Sequence, residues 1–163
     1  MKTLSLAIAF CILSLGVPAQ AQEDLGTPAD VLAAHNAYRA SVGLPPLRWS
    51  GPLAVQAQQW ADHLAETGVL QHSGSGQNLA MAEDGTQTVT QLVDLWGREQ
   101  ADFTDGIFPS ISTTGNWMDV GHYSQMVWRA TTAVGCGFAE NYGREVLVCD
   151  YSPVGNVMGE RAY

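Results

Sequence analysis

Gly121-His122-Tyr123-Ser124-Gln125-Met126-Val127-Trp128 leads directly into two segments, 134–139 and 145–151, that each carry one cysteine and read as strands. The fold is decided here. If Tyr142-Gly143 is a two-residue turn, Asn141 faces Arg144, and stepping outward along both strands Cys136 faces Cys149. Hydrogen-bonded and non-bonded pairs alternate from the closing pair, and the cysteines fall on a non-bonded one. Such pairs bring Cα atoms to about 4.5 Å, within reach of a disulfide. The cysteine face of this hairpin also carries Val134, Phe138, Leu147 and Tyr151, while the other carries Val146, Val148, Gly135 and Gly137. Apolar residues on both faces require cover on both. Three upstream helical patterns can supply it, so the expected architecture is α/β, a three-layer α-β-α sandwich around a mainly antiparallel sheet.

The first of these patterns opens at Thr27-Pro28-Ala29-Asp30, with Thr27 as cap and Pro28 in the first turn, and Gly43 ends it. Val31, Ala34, Tyr38 and Val42 form its apolar stripe, with His35 and Arg39 beside it. Ser50 caps a second helix to about Thr67, where Leu53, Ala57, Trp60 and Leu64 repeat at helical spacing; Trp60 and Trp128 are expected in the core on opposite sides of the sheet. Thr88-x-x-Gln91 is a capping box for a third, expected to end near Phe103. Glu99 falls at the edge of that helix's apolar face, where a half-inward carboxylate needs a partner. Residues 72–78 read as a glycine-rich loop and 104–120 as a long polar one.

Residues 1–21 read as an export signal: Lys2, an apolar run, then Ala19-Gln20-Ala21 as a cleavage site. The run is too short to span a membrane. An acidic lead, 22–28, would precede a domain at 29–163. Removing the signal also removes the only lysine and Cys11, leaving six arginines against 16 acids. A net charge of about −10 disfavours nucleic acid and anionic lipid surfaces. The remaining even pair of cysteines fits an oxidising compartment: the expectation is a secreted, extracellular protein, or a periplasmic one in a bacterium.

His72 in the glycine-rich loop, Glu99 and His122 are ligand types that suit zinc, though no two have the spacing that would place them together on one helix. Four motifs in order resemble the CAP superfamily, which includes cysteine-rich secretory proteins, insect venom antigen 5 and plant pathogenesis-related class 1 proteins. They are His35-Asn36-x-x-Arg39, Gly76-Gln77-Asn78-Leu79, the 121–128 stretch, and Val148-Cys149-Asp150-Tyr151-Ser152-Pro153-x-Gly155-Asn156. The resemblance implies a central cleft with two histidines, His72 and His122, and two acids. One acid position is Glu99. The other falls on Gln77, where the family more often has glutamate. An amide there should weaken cation binding, so any Zn2+ or other divalent ion is expected at low affinity, and Gln77→Glu is expected to tighten it. His35, Asn36 and Arg39 are implied to be structural. The plant relatives carry extra cysteines near the 104–120 loop that this chain lacks, so that loop is expected to be less constrained.

The leading expectation is a secreted binding module, with the cleft and the loop around Phe108 holding a lipid, a sterol or an extracellular protein partner, modulated by a metal on His72 and His122. The alternative is a metal-dependent hydrolase or protease with Glu99 as general base. Ser124 also belongs to the expected cleft, although two positions from His122 it is poorly placed to form a Ser-His pair.

Overall fold

The computed structural model describes residues 26–83 and 85–163. The expected signal and most of the acidic lead lie outside them. The elements run α1 (Pro28–Ser41), β1 (Arg48–Trp49), α2 (Gly51–Thr67), β2 (Gln77–Glu83), α3 (Val89–Gly97), α4 (Gly121–Met126), β3 (Ala133–Asn141) and β4 (Arg144–Ser152). Short 3-10 turns occupy Arg98–Ala101 and Trp117–Asp119. The caps form as the sequence requires. Thr27 accepts from the Asp30 amide in a reciprocal box, Ser50 from Leu53, and Thr88 from Gln91. Among the described residues, no helix is long and apolar enough to cross a membrane.

The sheet order is β1-β3-β4-β2. β3 and β4 form the hairpin in the expected register, Asn141 opposite Arg144 and Cys136 opposite Cys149. The cysteines are bonded, with Cα atoms 4.1 Å apart. β1 runs parallel to β3, so the sheet is mixed rather than mainly antiparallel. Between β1 and β3 the chain passes through α2, β2, α3 and α4, so no hairpin turn sets their relative direction. β2, which lies antiparallel to β4, begins at Gln77 inside the stretch read as a loop.

Two layers cover the sheet. On the cysteine face, Val31, Leu92, Val93 and Trp96 from α1 and α3 pack on Val134, Leu147, Cys149 and Tyr151. On the other, Ala57, Ala61, Leu64 and Ala65 of α2 meet Leu79, Val146 and Val148. Alanines rather than the expected tryptophan line this contact, because Gly135 and Gly137 let the helix backbone lie almost on the strand. A Cβ on Gly137 would stand 2.2 Å from Gln58 Cα. Trp60 is therefore only half-buried, stacked on His63 at 4.7 Å with its indole N–H donating to Gln71 O. Trp128 is buried not against the sheet but in a third cluster with Leu44, Phe108, Ile111, Val120 and Ala162.

α3 stops at Gly97, short of the expected Phe103. Tyr38 of α1 fills the space a side chain at Gly97 would need, and the chain tightens into the 3-10 turn that bears Glu99. The 104–120 loop is not loose. Ile111 and Phe108 are buried, Thr104 N donates to Ile111 O, and Phe108 N donates to Glu160 O.

Candidate functional site

β2 is an edge strand, and its first residues, the 72–76 turn before it, α4, and the segment after β4 enclose a cleft of about 540 Å³. His72, Gln77 and His122 line its polar part. Phe108, Trp117, Met118 and Met158 line its apolar part. Met118 and Met158 are 63% and 69% exposed, which places two large thioether side chains at the mouth.

His122 is held from behind. Its Nδ1 lies 2.6 Å from Glu99 Oε1, and since an ionised carboxylate can only accept, Nδ1–H donates. Nε2 is then the basic nitrogen of the neutral ring. Glu99 Oε2 accepts the backbone N–H groups of His122 and Tyr123 at 2.9 and 3.0 Å. α4 has no side-chain cap of its own, and Glu99 satisfies its orphan donors from another element. Stacking on Trp96 and the bond from Asn78 Nδ2 to His122 O fix the ring and its backbone further.

Crowding by protein atoms and the nearby His122 hold the His72 imidazole below its usual range, against a hydrogen bond to Gln77 that raises it. The two histidines therefore do converge, with Glu99 behind one of them. Gln77 is buried and fully engaged: Oε1 accepts Ser73 N, and Nε2 donates to Ser73 Oγ and Asp150 Oδ1. Ser124, expected in the cleft, is fully buried and does not line it. Its Oγ has no hydrogen-bond partner among the described residues, so no Ser-His pair forms.

His35, Asn36 and Arg39 lie outside the cleft lining and bond to backbone and core groups. Arg39 donates to four carbonyls, those of Pro45, Met126, Trp128 and Thr131. Asn36 clamps Leu47 through both its N–H and its C=O. His35 donates from Nδ1 to Val31 O and accepts the Tyr151 hydroxyl at Nε2.

The family model for cysteine-rich secretory proteins matches residues 32–151. This chain belongs to the CAP family. It is 42% identical over 142 residues to pathogenesis-related leaf protein 4 of Solanum lycopersicum, covering 86% of both chains. With the pathogenesis-related PR-1 type protein of Sambucus nigra it shares 35% over 157 residues, 94% of this chain and 91% of that one. The solved structure of NaASP2 with Zn2+ superposes with a TM-score of 0.69 at 26% identity, over 83% of each chain.

Sequence reasoning missed Asp150, Asn156, Trp117 and Met158 as parts of this CAP site. Asn156 Nδ2 ties the last wall of the cleft to Gly121 O, and Gln125 Oε1 accepts Gly155 N. Both wall residues stand in the quoted Gly155-Asn156 motif, which was the one available signal.

The donor set fits a divalent cation only in part. His72 and His122 supply two neutral imidazoles, the second backed by a carboxylate in the manner of metal-binding histidines. Glu99 is committed to His122 and to backbone, and the Gln77 amide to Ser73 and Asp150. Among the described residues, no group of three or more His, Cys, Asp or Glu is placed to hold a metal.

Proposed function

We propose that this CAP protein is an exported binding module whose cleft takes an apolar ligand with a polar head, a fatty acid or sterol. The observation that carries the reading is the mixed lining of the cleft. Phe108, Trp117, Met118 and Met158 offer apolar surface, and His72 and His122 offer polar ring nitrogens. Exposed thioethers at a pocket mouth suit adaptable contact with aliphatic chains. The secretory family, the disulfide and the charge balance support export.

A divalent ion such as the Zn2+ of the NaASP2 structure would be held by His72 and His122. When bound it would supply positive charge to an anionic head group. With two protein donors its affinity is expected to be modest. The arrangement lends hydrolysis no support, since both Glu99 oxygens already accept from His122 and Tyr123 and Ser124 has no base.

The test is equilibrium binding of a fluorescent fatty acid and a fluorescent sterol to the mature protein. Saturable binding that drops at least about tenfold in Met118→Asp/Met158→Asp is expected, because charge at the mouth must be desolvated by the ligand. No saturable binding of either probe would remove the reading.

A further inference from the structure

Gln77 and Asp150 are direct cross-strand partners on β2 and β4, with Gln77 Nε2 donating to Asp150 Oδ1 at 2.8 Å. An amide is two-faced: swapping its oxygen and nitrogen reverses what it offers to both sides. A carboxylate opposite the nitrogen removes that freedom, because it can only accept. Gln77 Oε1 then faces the 72–76 turn, where it receives Ser73 N at 3.0 Å, next to His72 in the chain. The second bond of Nε2, to Ser73 Oγ, fastens the same turn again. The Ser73 N–H and the Asp150 carboxylate thus assign the amide together, one from each end.

We propose that Asp150 is a positioning residue of the cleft: it helps to hold the Gln77 amide, and through it the 72–76 turn that carries His72. The cleft's second acid is then present after all, one strand behind the wall. This rests on His72 being a working part of the cleft, but its test does not need a ligand. It also revises the simple expectation for Gln77→Glu. A glutamate there would face the Asp150 carboxylate with no N–H to offer it, so two like charges would meet across a cross-strand pair. The two positions are therefore coupled, and an acid at 77 requires an amide at 150.

The experiment follows the His72 and His122 ring signals by NMR in the ligand-free mature protein, with thermal unfolding alongside. Asp150→Leu removes the acceptor, and His72 is expected to change its ring shifts while those of His122 stay. Asp150→Asn retains a carbonyl oxygen and should restore most of the His72 signal. In Zn2+ titrations, Gln77→Glu alone is expected to lower the melting temperature with no gain in affinity. Gln77→Glu/Asp150→Asn should recover the melting temperature and bind Zn2+ about tenfold or more tighter than the parent. An unchanged His72 spectrum in Asp150→Leu overturns the proposal, as does a single Gln77→Glu variant that is stable and binds more tightly. Absence of lipid binding by the parent protein, with the His72 response intact, would instead count against the proposed ligand.

Discussion

His35 shows how a single residue ties chemistry to stability. It is fully buried between α1 and the sheet, its pKa brought down to about 4, chiefly by the loss of water and further by Arg39, against the bond to Val31 O that raises it. An unfolded chain would titrate it near 6.5. The folded state therefore refuses a proton that the unfolded state accepts between those values. Its contribution is present in full above pH about 6.5 and is lost as pH falls toward 4, at most about 3 kcal/mol. Urea unfolding at steps from pH 7 to 4 should show that loss, and His35→Asn should flatten this part of the curve while lowering the plateau. A slope unchanged by the substitution would mean that His35 takes up its proton in the folded protein. Its Tyr151 partner, which also accepts from Asn78, carries the same network to the back of the cleft, since Asn78 holds His122 O.

At the scale of elements, α2 seated on β3 is the most demanding contact. Gly137→Ala would set a methyl 2.2 Å from Gln58 Cα, on backbone that cannot step aside without moving the helix. A loss of about 3 kcal/mol or more is expected from overpacking. Gly143→Ala makes the control: it has φ 75° but open space around it, so only the left-handed backbone penalty of about 1 kcal/mol applies. Equal effects in chemical denaturation would show that the close approach is not what the glycine is for. The hairpin, its register and the three long helices were legible because turn residues, caps and periodicity all spoke locally. β2 was not: Gln77-Asn78-Leu79-Ala80-Met81-Ala82 has no β-branched or aromatic residue, and its strand character comes from pairing with β4. With β2 unseen, Gln77 could not be set opposite Asp150. The reach of Glu99 to the α4 amides was likewise hidden, because a long-range cap leaves no mark in spacing. The histidines were recognisable by motif, but their convergence is a product of tertiary structure.

Across the whole molecule, the cleft depends on the last residues of the chain. Ala162 is buried, its carbonyl accepts from Arg129 N, Glu160 O from Phe108 N, and Gly155, Asn156 and Met158 form a wall. Truncation after Pro153 should leave the layered core and its disulfide detectable by circular dichroism and thiol titration. It should abolish fatty-acid and sterol binding, and retained binding would place the ligand elsewhere. The strand order has a consequence for how such a chain comes into being. β2 ends at Glu83, yet its partner among the described residues, β4, starts at Arg144, and β1 likewise waits for β3. A growing polypeptide therefore has helices to form early but no sheet to close until nearly all of it has been synthesised. Pairings so distant along the chain are slow to find one another. If the chain is exported as proposed, that delay is useful, because an unclosed chain can still be threaded through a narrow pore and finish itself on the far side.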